Sequence, residues 1–220
     1  METTLPKPKR NKALTQRKLL DAVGSLLKRE GFQSIGINAI AKEAGVDKVL
    51  IYRYFGSLDG LIEAFALERD YWVSNFKTAQ GLNLQNLTEV QREQFTATIF
   101  ANFYKTMLQN KELQEITLWE MVEVSGLNKV LQNQRDQSTL GLIALYEQLF
   151  PNSPIDLQAI ATIIATGLQQ LALLSRQLPA FNGINLQSPE GMQRIENALS
   201  SLAQLVLRAA NTPENNYTHS

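Results

Sequence analysis

A helical pattern that stops at Ala44-Gly45-Val46 and resumes at Asp47 constrains this chain more than any other stretch. Glycine lets the backbone enter the left-handed region at a helix end, and an Asp side chain then caps a new start, so the two helices cannot lie in line. Ile37 to Ala44 reads as a short helix with Ile40 and Ala41 facing inward. Lys48 to Phe55 reads as the next, stopped by Gly56-Ser57. Two short helices joined by a glycine-containing turn make a helix-turn-helix. The second of them puts Lys48, Tyr52, Arg53 and Tyr54 into two turns. That is too many long polar side chains for a core helix, and it fits a face turned toward something wet and negatively charged.

The flanking pattern is helical throughout. A first helix is expected from an N-cap at Thr15, with Leu19, Ala22, Val23, Leu26 and Leu27 on one face, ending at Gly31 with Phe32 as a buried plug. Beyond Ser57 the spacing predicts helices over about 58–79, 88–109, 111–123, 127–149, 155–178 and 189–210, with no strands separated by turns. The expected fold is all-α: an N-terminal three-helix helix-turn-helix domain and a C-terminal helical domain. The expected boundaries are a basic flexible arm at 1–14, the helix-turn-helix at 15–57, the second domain at 58–212 and a flexible tail at 213–220.

Charge is unevenly spread. The chain is neutral overall, yet residues 1–58 hold eleven Lys and Arg against five Asp and Glu. A basic front on an acidic body points to an N-terminal module that meets a polyanion. The basic run Lys7 to Lys12 reads either as an arm for a minor groove or as a solubilising tail. No cysteine is present, which removes disulfides, cysteine–zinc sites and a thiol nucleophile and fits a cytoplasmic location. The single histidine, His219, lies in the polar tail, so a histidine metal site or a Ser/His/Asp triad lacks material. No catalytic residues, metal or cofactor are expected. The N-terminus shows no apolar signal segment. Leu157 to Ser175 is uncharged and long enough to span a bilayer, but Gln158, Thr162, Thr166, Gln169 and Gln170 interrupt it, so a buried helix outside any membrane is expected.

The last two helices carry heptad stripes. Ile160, Ile164, Gly167, Leu171, Leu174 and Leu178 form one; Met192, Ile195, Leu199, Leu202, Val206 and Ala209 form the other, and Ile163, Ala198 and Leu205 widen them. Such wide apolar faces need several neighbours. They are covered within one chain, or they form half of a two-fold four-helix bundle between two chains; the homodimer is the expectation adopted.

Residues 15–70 resemble the DNA-binding domain of the tetracycline-repressor (TetR) family of transcriptional regulators. The resemblance rests on Gly31-Phe32, Ile40-Ala41, Ala44-Gly45-Val46 and Ile51-Tyr52-Arg53-Tyr54-Phe55, followed by Ser57 and an apolar helix from Leu58. It implies a repressor whose third helix enters the major groove of a palindromic operator in double-stranded DNA. It also implies a C-terminal domain that dimerises through its last two helices and holds a small-molecule inducer. On this reading Lys48 and Val49 meet base edges at the start of the recognition helix, since lysine donates to guanine and valine touches a thymine methyl. Tyr52 reaches a base edge or a phosphate, and Tyr54 matches a position that donates to phosphate. Arg53 contacts phosphate or stays solvated. On the second helix Asn38 matches a DNA-reaching position and Lys42 steers or holds phosphate. The sequence departs from the family at Gly36, where a Ser or Thr cap is usual, at Val49 for a common Gly or Pro, at Leu50 for a threonine and at Leu58 for a lysine. The last two remove phosphate contacts, and fewer contacts give a shallower salt dependence.

The middle helices are rich in aromatics and methionines, among them Tyr71, Trp72, Phe76, Phe95 and Phe103. Taken singly, each reads as core. As a group they fit an apolar cavity with polar tips, and Phe100, Tyr104, Met107, Trp119, Met121 and Tyr146 are the candidate lining. Glu120 and Glu123 read as a solvated face or as a site for a cationic ligand. A ligand there would shift the helix after the recognition helix and so alter the spacing of two reading heads, which must sit about 34 Å apart or a multiple of that. Two other classes compete. A helical enzyme lacks a histidine or cysteine to accompany Glu120 and Glu123. A helical protein-interaction module explains the stripes but not the basic, tyrosine-bearing third helix.

Overall fold

The computed structural model describes residues 12–69, 84–122 and 126–212. The basic arm before Lys12, the continuation of the fourth helix past Arg69 with Tyr71, Trp72 and Phe76, Glu123 and the tail from 213 lie outside the described residues. The helices are α1 (Lys12–Glu30), α2 (Ile37–Ala44), α3 (Val49–Phe55), α4 (Leu58–Arg69), α5 (Glu89–Gln109), α6 (Lys111–Val122), α7 (Gly126–Leu149), α8 (Leu157–Leu174) and α9 (Pro189–Ala210). A two-stranded antiparallel hairpin, β1 (Ala180–Phe181) and β2 (Ile184–Asn185), separates α8 from α9. The protein is all-α, as its patterning predicts.

The described residues fall into two compact units. Those within Met1–Arg69 and Glu115–Leu131 form one, and those within Asp70–Gln114 and Gln132–Ser220 form the other. The first unit is therefore not the simple N-terminal block expected from the sequence: it also takes α4, most of α6 and the start of α7.

In the first unit α1 packs on α2 and α4, and α3 packs on α4. Leu19, Val23 and Leu27 of α1 are fully buried together with Ile40, Ile51, Leu61 and Phe65. Burying side chains of this size contributes roughly 1.5–3 kcal/mol each before the cost of chain ordering. Helix α1 is already helical at Lys12, so Thr15 lies inside it rather than capping it. Lys12, Ala13 and Leu14 are good helix formers and nothing there stops the helix. Phe32 stacks on Trp119 of α6 with ring centroids 6.2 Å apart. The Phe32 amide donates to Glu115 Oε2 at 3.0 Å. Gly31 makes this approach possible: its φ is +84°, and a Cβ there would sit 2.8 Å from the same carboxylate oxygen.

In the second unit α5 packs against both α8 and α9. Its start is a reciprocal capping box: the Thr88 hydroxyl accepts from Gln91 N, and the Gln91 side chain accepts from Thr88 N. Asp156 caps α8 through Ala159 N at 2.8 Å, and Ser188 caps α9 through Gly191 N at 3.0 Å with Pro189 in the first turn. Lys105 of α5 pairs with Glu196 of α9 at 2.7 Å.

Two expectations need correction. The segment 178–188 contains a hairpin that the patterning did not predict. Its turn is Asn182-Gly183, with φ of 47° and 75°, the left-handed pair that a tight hairpin turn requires. The flanking strands are only two residues each, too short for alternation to show. Helix α8 was expected to be buried. By length and composition it is apolar enough to cross a membrane, yet within the single chain only Leu168, Ala172 and Leu173 are buried. Ile163 is 71% exposed, and Leu205 of α9 is 64% exposed. Among the described residues α5 packs against both helices and leaves part of their wide apolar stripes uncovered.

Candidate nucleic-acid interface

The turn between α2 and α3 is built from backbone geometry. Gly45 sits in the left-handed region at φ 64°, ψ 37° and ends α2. Its N–H donates to Lys42 O, and Val46 N donates to Ala41 O at 3.0 Å, which satisfies carbonyls that the helix end leaves open. Asp47 Oδ1 then accepts from Val49 N at 2.9 Å and holds the first turn of α3. This fixes the angle at which α3 leaves α2.

Helix α3 buries Leu50 and Ile51 and turns its other face outward. Lys48 and Arg53 are exposed, Val49 is 61% exposed and Tyr52 is 52% exposed. Tyr54 is half-buried, with Lys12 Nζ 5.9 Å from its ring centroid, a cation–π arrangement that brings the start of α1 to this face. On α2, Asn38 and Lys42 are exposed. The structure thus brings the polar face of α3 and the outer face of α2 onto one unit.

The departures from the family pattern have local explanations. Leu50 is buried in the core, so an apolar residue there exchanges an outward polar contact for packing. Gly36 is extended and gives no side-chain cap to α2, although its carbonyl accepts from Ile40 N. Ser57 supplies the cap of α4, its hydroxyl accepting from Gly60 N at 3.0 Å.

Arg29 near the end of α1 grips Glu43 of α2 with two parallel bonds, 2.9 and 2.8 Å. The hydrogen bonds to this guanidinium hold the Glu43 carboxyl below the usual carboxylate range, and the Arg29 pKa is raised in turn. The pairing neutralises the acidic residue beside Lys42. It is a contact between elements that the sequence spacing did not reveal.

The second unit contains an apolar cleft with about 650 Å³ of non-protein space, mouth included. Of the residues expected to line a ligand site, Phe100 and Tyr146 do so. Tyr104 and Met107 are fully buried. Trp119 belongs to the first unit, stacked on Phe32, and Met121 is exposed. Ile160, Ile164, Leu199, Leu202 and Val206, which the stripes assign to a dimer interface, also line this cleft. Of the other interface candidates, Ile195 is buried inside the chain, Leu171, Leu174 and Met192 are half-buried, and Gly167 is exposed. Burial raises the Tyr146 hydroxyl to about 12, opposed in part by its hydrogen bond with Thr96. Burial likewise raises Tyr104.

A short helix, a left-handed glycine turn and a second short helix with an exposed basic and aromatic face define a helix-turn-helix protein. Residues 19–65 match the family model described as bacterial regulatory proteins, tetR family. An 86-residue stretch, 39% of the chain, is 31% identical to the HTH-type transcriptional regulator AlkX of Mycobacterium tuberculosis, and spans 41% of that relative's length. Among solved structures, the fatty acid degradation regulator FadR of Bacillus halodurans superposes with a TM-score of 0.60 at 14% identity, covering 93% of this chain and 99% of that one. GusR of Salmonella enterica superposes with a TM-score of 0.58 at 18% identity, covering 92% and 100%. At such identities the structural likeness speaks to fold alone. Residues 19–65 therefore form a DNA-binding domain of the tetR type, and the remainder of the chain shares the fold of these regulators.

Proposed function

We propose that this protein is a dimeric repressor that reads a palindromic operator through α3 and is released from it by a small molecule. The observation that carries the reading is the exposed face of α3, where Lys48, Val49 and Tyr52 project from a helix anchored by buried Leu50 and Ile51. A helix this short, held at its start by Asp47, presents its N-terminal side chains to base edges. Asn38, Lys42, Arg53 and Tyr54 then serve the phosphates on either side, positioning contacts that fix register without reading sequence.

Dimerisation is supported by the exposed apolar residues of α8 and α9 that lie outside the cleft lining, Ile163 and Leu205. The small-molecule effector is supported by the apolar lining of the cleft, which Phe100, Ile160 and Leu202 help to form. The ligand acts only if it binds the geometry that cannot span two successive major grooves better than the geometry that can. No cofactor or catalytic step is involved.

Selection of bound duplexes from a random pool tests the reading. Enrichment of a two-fold symmetric sequence is the expected result. A pool left unenriched after repeated rounds refutes DNA recognition, and enrichment of a single asymmetric half-site refutes the dimeric mode.

A further inference from the structure

Resting on the ligand-responsive reading above, the cleft also limits what can enter it. Its lining is almost purely hydrocarbon. Among the described residues none that lines it carries a charge, and the polar side chains there are Thr96 and Tyr146. Those two hydroxyls are spent on each other, with Thr96 Oγ1 and the Tyr146 hydroxyl 2.6 Å apart. Thr96 Oγ1 also donates to the Arg92 carbonyl at 2.8 Å. A carbonyl only accepts, so the Thr96 proton is committed there and Tyr146 must donate to Thr96. Both hydroxyl protons are used internally, and neither is free to meet an anionic group in the cleft.

An ionised group carried into such a site would lose its hydration and find no partner. An uncharged ring system or alkyl body loses nothing and gains the burial of its surface. The walls provided by Phe100, Ile160 and Leu202 are of the kind that accept such a body. We infer that the effector cleft of the second unit takes an uncharged, hydrocarbon-rich small molecule and excludes ionised ligands of the same size.

A matched pair of dyes tests this. N-phenyl-1-naphthylamine is neutral, and 1-anilinonaphthalene-8-sulfonate has the same ring system plus a sulfonate; both brighten when they leave water. Titrated against the full-length protein, the neutral dye is expected to bind at least tenfold more tightly. Equal binding, or tighter binding of the sulfonate, overturns the inference. So does failure of the neutral dye to bind, the result expected if side chains of a second copy fill the cleft. Ala161→Trp places an indole in the cleft and should abolish binding of the neutral dye; unchanged binding by the folded variant puts the dye elsewhere and overturns the assignment. The dye comparison on the unmodified chain stands whether or not the variant folds. A chain that selects DNA from a random pool yet prefers the sulfonate loses only this inference. One that takes the neutral dye but selects no DNA loses the regulator reading instead.

Discussion

Replacement of Glu115 is the sharpest probe of how the first unit is held together. The side chain comes from α6, is 4% exposed, and accepts the Phe32 amide at 3.0 Å. Phe32 is half-buried and its ring stacks on Trp119, one turn along the same helix. Glu115→Ala removes the acceptor and leaves that amide without it. A hydrogen bond to a charged group contributes about 1.5–3 kcal/mol, and an unsatisfied buried donor costs a similar amount, so a loss of about 2–3 kcal/mol is expected. Glu115→Gln keeps an acceptor oxygen of the same reach and should recover about half of that. Gly31→Ala attacks the same point from the other side. It forces an L side chain into φ +84° and drives a Cβ against the carboxylate, for a cost of about 1–3 kcal/mol. Because part of that cost is the clash with Glu115, the double variant should lose less than the sum of the single losses. Urea unfolding followed by circular dichroism measures all four, with stability taken from midpoints at constant slope. If Glu115→Ala stays within 0.5 kcal/mol of the parent, roughly the scatter expected of an ordinary surface substitution, the carboxylate does not hold the turn. Strict additivity of the two changes would show that they do not share a site.

Three further outcomes are expected. Lys48→Gln combined with Tyr52→Phe should weaken binding to the selected duplex by about tenfold or more in fluorescence anisotropy, with little change in thermal unfolding, since both side chains are exposed. Glu43 has a depressed carboxyl pKa in the folded state, so its pair with Arg29 stabilises the fold above the ordinary carboxylate range and ceases to do so as pH falls through the folded value. Glu43→Gln should therefore flatten the acid limb of the stability curve below about pH 4.5, and an unchanged limb would count against the pair. Tyr146, pushed up to about 12, contributes stability that is complete below the ordinary tyrosine value near 10 and is lost as pH rises toward 12. Ultraviolet titration of tyrosinate should show a late-ionising component that Tyr146→Phe removes.

Much of the fold is legible from local chemistry, because local chemistry sets the helix ends. Ser188 with Pro189 starts α9 where the spacing places it, and the residue range 189–210 is the one expected. Thr88 with Gln91 does the same for α5. The Ala44-Gly45-Val46 turn is written in three adjacent residues, since the left-handed step and its hydrogen bonds involve only neighbours. Asn182-Gly183 carried an equally local hairpin signal, although strands of two residues left no alternation around it.

Contacts between distant segments follow another rule. Glu115 lies 83 positions from the amide it binds, and nothing in the spacing of either segment announces the other. Trp119 and Tyr146 read alike as aromatic members of a middle-helix group. Packing sent one to stack on Phe32 and left the other on the cleft. Phe100 and Met107 share a helical face by period, yet one lines the cleft and the other is fully buried, because depth depends on what the opposing helices bring. From the sequence alone came helix placement, the turn and the outward face of α3, all set by interactions within a few residues. The tertiary structure decided the membership of the cleft, the reach of the first unit into α6 and the exposure of α8, because each depends on segments the chain brings together only on folding.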